Sequence, residues 1–195
     1  MAGDHRPVGS ARIRPLGLGW ANLVSVARIL VTPVLVLLIL SPSRAAAYLA
    51  AALFVIAAAS DSVDGWLARR YEITSRLGQW LDPLADKILV TAPVITLTAV
   101  GRFPLWAAAV IVVREFAVSG LRAWLGTRGE AMPASWWGKV KTVAQMLAVV
   151  LYLLPDLGPE VEDLRFAILV GAVALTVLSG LDYFWRAVRV ARRPG

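Results

Sequence analysis

The chain has 195 residues, 58% of them hydrophobic, and a mean hydropathy of +0.69, which excludes an ordinary soluble domain and points to a membrane protein. It has no cysteine and one histidine, His5, in the polar N-terminal stretch, which excludes a disulfide framework, a thiolate metal site and histidine chemistry in the apolar body. The net charge of +7 is read as basic loops facing an anionic leaflet, not as a nucleic-acid surface.

Residues 1–20 form a polar N-terminal segment in which Pro7, Pro15 and the glycines weaken a helix. Six apolar spans follow, over 24–40, 45–68, 81–100, 105–125, 140–154 and 164–188. Each is near the roughly 20 residues that cross a hydrocarbon core. Ser41-Pro42-Ser43, Gly101 with Pro104, Pro133, and Pro155 to Pro159 separate them. The expected architecture is all-α: a polytopic membrane domain of six transmembrane helices over 21–188, then a basic tail over 189–195. A basic start followed by an apolar stretch and Ala45-Ala46-Ala47 imitates a signal peptide, but five more spans follow.

Basic residues set the orientation. Arg6, Arg12 and Arg14 precede span one, Arg69, Arg70 and Arg76 follow span two, Arg128 and Lys139 follow span four, and Arg186, Arg189, Arg192 and Arg193 end the chain. The opposite loops offer Arg44, Arg102 and Arg165, the last among Asp156, Glu160, Glu162 and Asp163. Both termini are therefore expected in the cytoplasm. The tryptophans fall near span ends, as interface anchors do.

Four aspartates, Asp61, Asp64, Asp82 and Asp86, sit at the cytoplasmic mouth of spans two and three. Carboxylates beside a bilayer core are costly and mark function. Asp61, Asp64, Gly65 and Ala68 follow i, i+3, i+4, i+7 spacing and share a helix face, as do Asp82 and Asp86 at i, i+4. Gly78 extends that second row, and Pro83 places the start of the regular helix near Asp82. The short connection makes spans two and three antiparallel neighbours with converging carboxylate faces. Such a cluster is relieved of its repulsion by one or two divalent cations, and oxygen ligands select hard ions such as Mg²⁺ or Mn²⁺. Gly65 and Ala68 leave room for a substrate, and Arg69 stands one turn on to fork onto phosphate oxygens.

Further along, Arg114, Glu115, Ser119 and Arg122 lie close to one face of span four, and Lys139 and Lys141 open span five on the same side. A basic pocket there suits an anionic, phosphorylated acceptor. The competing reading is snorkelling side chains plus an Arg114–Glu115 structural pair.

The run Asp61-x2-Asp64-Gly65-x2-Ala68-Arg69-x8-Gly78-x3-Asp82-x3-Asp86 resembles the signature of the CDP-alcohol phosphatidyltransferase family at every defined position. The patterns Arg114-Glu115-x3-Ser119-x2-Arg122 and Gly138-Lys139-x-Lys141-Thr142-x2-Gln145-Met146 are similar to those of its phosphatidylglycerophosphate synthases. Asn22-x2-Ser25-x2-Arg28 also fits, with Ser25 where threonine is commoner and Ala21 where proline is. The resemblance spans about residues 20–186. It implies a metal-dependent transfer of a phosphatidyl group from CDP-diacylglycerol to glycerol 3-phosphate, in the cell inner membrane with the site facing the cytoplasm, by a homodimer.

By that resemblance Asp61, Asp64, Asp82 and Asp86 hold two ions, and Asp86 is also the base. Asn22, Ser25, Gly65, Ala68, Arg69, Ser75 and Gly78 border the CDP-diacylglycerol head. Arg114, Ser119, Arg122, Lys139 and Lys141 hold glycerol 3-phosphate. Inositol phosphate or phosphatidylglycerol as acceptor are the alternatives within the family. An ion or proton transporter is the alternative outside it.

Overall fold

The computed structural model describes the backbone of residues 20–71, 76–128 and 136–191, and the side chains of 24–60, 83–128 and 136–190. Among these residues it holds six helices and no strand: α1 (Trp20–Leu40), α2 (Arg44–Tyr71), α3 (Arg76–Ala99), α4 (Leu105–Gly126), α5 (Trp136–Leu153) and α6 (Pro159–Ala191). The all-α expectation holds, and the helices outrun the apolar spans at their polar ends.

Pro83 does not open α3, contrary to the sequence reading; the helix begins at Arg76 and runs through both Pro83 and Pro93. A proline inside a helix removes one amide donor and crowds the carbonyl four residues back, but it need not end the helix when packing holds both sides. What ends α3 is Gly101. Its φ of +74° suits a residue without Cβ. There the Arg102 amide bonds Leu97 O at 2.8 Å and the Gly101 amide bonds Thr98 O at 3.0 Å, the paired closure of a Schellman turn. Pro104, extended at φ −64°, ψ 128°, then leads into α4.

The chain handles its hydroxyls inside the helices. Thr32, Thr91, Thr96, Thr98, Thr142 and Thr176 each donate to the carbonyl four residues earlier, at 2.6 to 2.9 Å. Such bonds satisfy the hydroxyl within its own helix.

Packing closes the helices into a ring. α1 packs on α2 and α3, α3 on α4, α4 on α6, α6 on α5, and α5 on α2, with α3 and α5 also touching across the middle. Among the described residues α2 and α3 scarcely touch, because α1 lies against both. The segments of α2 and α3 expected to converge, 61–71 and 76–82, lie outside the described side chains. Leu35, Phe54, Leu89, Leu97, Ile111 and Leu169 are fully or almost fully buried in the common core. The outward faces carry Leu30, Leu37, Ile56, Leu105, Val113 and Phe184, all exposed. Among the described residues α6 is long and apolar enough to cross a bilayer over Pro159–Val190, and Val24–Leu40 and Arg44–Ser60 are shorter apolar stretches.

At the end where α5 stops and α6 starts, two arginines tie the turns together. Arg102 donates to the carbonyls of Leu153 at 3.2 Å and Leu154 at 2.8 Å, a cation on the negative end of α5. Arg165 was expected as a loop charge. It is instead a buried residue of α6, bonding Pro155 O at 3.2 Å and Glu162 at 3.0 Å, with Tyr152 beneath it.

Candidate functional site

The opposite end of the ring opens into a cavity of about 550 Å³. Its walls come from the early parts of α1, α3 and α5 and the late parts of α2, α4 and α6, so all six helices contribute. Six of the lining side chains are basic and two are acidic. Each acid has a cationic partner, and the surplus positive charge faces the space between them.

On one side, Arg28 of α1 donates to the carboxylate of Asp86 on α3. Arg28 is buried, while about half of the Asp86 side chain, 49%, stays accessible. Isolated in an apolar run, Arg28 is a costly residue whose partner had to come from another helix.

On the other side, Glu115 of α4 accepts from Lys141 of α5 and, at 3.4 Å, from Arg114. Lys141 is 4% exposed, so its ammonium depends on that carboxylate. Arg114 also donates to Ser179 of α6 at 3.0 Å. Arg122, two turns after Arg114, donates to the hydroxyl of Tyr183 and lies 4.7 Å from the centre of its ring. Arg114 stands 5.9 Å from the same ring. Deeper in, Gln145 bonds Thr176 at 3.1 Å, and Ser179 bonds Thr176 O, which links α5 and α6 below the cationic layer.

The residues singled out by sequence divide into three groups. Asp86, Arg114, Ser119, Arg122, Lys139 and Lys141 line this one cavity, with Lys139 exposed at its rim. Ser25 is fully buried one turn before Arg28 and does not line it. Asn22, Asp61, Asp64, Gly65, Ala68, Arg69, Ser75, Gly78 and Asp82 lie outside the described side chains. Helical backbone does run through 61–71 and 76–82, so the expected helices extend over the aspartate positions.

Among the described residues no three acidic side chains stand together as a metal cluster. The one described aspartate of the four, Asp86, is a hard oxygen donor in the cavity wall, and its chemistry fits a hard divalent cation.

Arg28, Gln145, Ser179 and Tyr183 were given no role from the sequence. Arg28 carried two signals, its place in the Asn22-x2-Ser25-x2-Arg28 pattern and its lone charge in an apolar stretch. Gln145 stood in a quoted pattern. Ser179 and Tyr183 had only faint ones: with Gly180 they lie at i, i+1 and i+4, a small-residue notch followed by a polar aromatic on one face of α6.

The family model for CDP-alcohol phosphatidyltransferase matches residues 18–178. The Bacillus subtilis (strain 168) CDP-diacylglycerol–glycerol-3-phosphate 3-phosphatidyltransferase is 41% identical over 187 residues, covering 87% of this chain and 97% of that protein. A Mycobacterium tuberculosis (strain ATCC 25618 / H37Rv) protein named "Probable phosphatidylglycerophosphate synthase" is 38% identical over 184 residues, 93% of this chain and 85% of that one. A Pseudomonas fluorescens protein with the same name as the Bacillus relative is 39% identical over 169 residues, 83% of this chain and 86% of its own length.

Proposed function

The chain belongs to the CDP-alcohol phosphatidyltransferase family, and from that membership and the charge layout of its cavity we propose that it transfers the phosphatidyl group of CDP-diacylglycerol to glycerol 3-phosphate, giving phosphatidylglycerol phosphate and CMP. The observation that carries the acceptor assignment is the cluster of Arg114, Arg122 and Lys141 in the same cavity as Asp86. A phosphomonoester is held by the cations while its hydroxyl is presented to the carboxylate. The relatives' names support the same pair of substrates.

In this mechanism Asp86 takes the proton from the C1 hydroxyl of glycerol 3-phosphate. The oxygen forms a bond to the β-phosphorus, the one that carries diacylglycerol, and the bond from that phosphorus to the bridging oxygen breaks, so CMP leaves with the electron pair. Arg28 holds Asp86 in place from beneath. Arg114, Ser119, Arg122, Lys139 and Lys141 hold the acceptor, and Glu115 fixes the cationic layer through Lys141 and Arg114. Asn22, Ser25, Gly65, Ala68, Arg69, Ser75 and Gly78 border the CDP-diacylglycerol head. Asp61, Asp64, Asp82 and Asp86 would hold two divalent ions, Mg²⁺ or Mn²⁺, whose chemistry there would be charge neutralisation at the diphosphate.

All six helices lie across the inner membrane, with both termini and the cavity on the cytoplasmic side. The exposed apolar outer faces and the hydroxyls bonded back into their own helices support this placement. So does the confinement of the cationic cavity to one end.

The test is CMP release by purified protein with CDP-diacylglycerol and Mg²⁺, with glycerol 3-phosphate or inositol 1-phosphate offered separately. Release with glycerol 3-phosphate alone, lost in EDTA, is the expected result. Release only with the inositol phosphate overturns the acceptor assignment, and release with neither overturns the transferase reading.

A further inference from the structure

Arg114 and Arg122 are eight residues apart on α4, about 12 Å along its axis at 1.5 Å per residue. One phosphate group is much smaller than that separation. Two arginines so placed meet over one phosphate when their side chains lean toward each other, and contacts from outside α4 can hold them there. Left to themselves two guanidinium groups and the Lys141 ammonium repel one another.

α6 supplies what α4 lacks. Tyr183 is 1% exposed, packed where α4 and α6 meet. Its hydroxyl accepts from Arg122, and its ring lies within cation–π range of both arginines, 4.7 Å from Arg122 and 5.9 Å from Arg114. One turn earlier, Ser179 accepts from the other end of the Arg114 guanidinium at 3.0 Å. Between them Gly180 leaves a notch: a Cβ there would stand 3.3 Å from Arg114 Cγ. Ser179, Gly180 and Tyr183 thus make a cradle on one face of α6, with a hydroxyl, a gap and a ring in succession.

We propose that Tyr183 is a positioning residue for the acceptor: its ring and hydroxyl bring Arg114 and Arg122 together over one phosphomonoester, while Ser179 and Gly180 seat the first of the two arginines. This rests on the phosphatidyl-transfer reading and deepens it by assigning phosphate selection to α6, a helix that contributes none of the expected metal or nucleotide ligands. Tyr183 does not touch the reacting atoms. Its effect falls on acceptor binding and not on the chemical step.

The experiment compares wild type with Tyr183→Phe and Tyr183→Leu, measuring kcat and the KM of each substrate by CMP release. Tyr183→Phe keeps the ring and the packing volume and removes the hydroxyl. It is expected to raise the KM for glycerol 3-phosphate about tenfold, as for loss of a hydrogen bond to a charged group, with kcat and the KM for CDP-diacylglycerol within about twofold of wild type. Tyr183→Leu, which removes the ring as well, raises it further.

An unchanged acceptor KM in Tyr183→Phe overturns the proposal. So does a variant in which kcat and both KM values move together, the pattern of a purely structural residue. If Tyr183→Leu does not fold, Tyr183→Phe alone decides. A wild type that uses inositol 1-phosphate and not glycerol 3-phosphate refutes the acceptor reading separately. The same KM comparison with that phosphomonoester then decides the role of Tyr183.

Discussion

Arg28 and Asp86, 58 positions apart in the chain, form an ion pair that links α1 to α3 in the wall of the cavity. The burial is lopsided, with the guanidinium enclosed and the carboxylate half accessible. An acid anchored from beneath keeps its orientation and still meets a substrate. Replacing Arg28 by Gln removes the anchor charge without emptying the space. The expected result is a loss of about tenfold to a hundredfold in kcat, consistent with misplacing a reacting group by about 1 Å, and little change in the acceptor KM. Arg28→Lys keeps the charge and is expected to recover part of the rate, since a shorter, more strongly hydrated ammonium does not replace the guanidinium. Steady-state CMP release reads both, and wild-type turnover by Arg28→Gln would remove Arg28 from the mechanism.

Glu115 serves two cations at once, and one of them is enclosed. Glu115→Gln leaves the Lys141 ammonium buried without its counter-charge, so the protein loses about 3 kcal/mol of stability. Lys141→Met in the same chain removes the orphaned charge. The double variant is expected to regain most of the thermal stability in detergent while its acceptor KM stays high. Non-additivity in unfolding, set against no recovery in KM, separates the structural share of this pair from its binding share. Additive destabilisation would show that the pair is not coupled.

Gly180→Ala tests the notch directly. The new methyl approaches Arg114 Cγ to 3.3 Å, so the arginine must yield by a few tenths of an ångström. A shift of that size raises the glycerol 3-phosphate KM about threefold to fivefold, scaled from the penalty for larger misplacement. The KM for CDP-diacylglycerol stays put. An acceptor KM equal to wild type would show that Arg114 has slack in its seat.

Arg102 provides the contrast. It caps the carbonyl end of α5 at the far side of the ring from the cavity. Arg102→Ala is expected to lower stability by about 1–3 kcal/mol, the cost of leaving acceptors unpaired, and to leave both KM values unchanged at a temperature where the variant is folded. A raised acceptor KM would mean that the two ends of the ring are coupled.

The sequence exposed the cavity better than the scaffold that shapes it. Asp86, Arg114, Ser119, Arg122, Lys139 and Lys141 were legible because charges in apolar runs stand out, and all six line one space. Helix existence was legible for the same reason in reverse, since breakers interrupt long apolar stretches. Neighbour relations were less so: nothing in the sequence signalled that α1 lies against both α2 and α3. Pro83 misled because its local cost is visible and the packing that outweighs it is not. Arg165 was read as a surface charge, since counting basic residues by loop ignores where a side chain turns. Tyr183 gave almost no warning: an aromatic in an apolar helix is usually core, and its polar end is set by residues 61 and more positions away.

That separation has a consequence for how the protein is made. Arg114 and Arg122 are synthesised before Tyr183, whose hydroxyl and ring come from α6. Until α6 docks, Arg114 and Arg122 lack the hydroxyls and the ring that hold them. If Tyr183 positions the acceptor as proposed, the acceptor site is completed by a contact between elements far apart in the chain, the seating of α6 on α4.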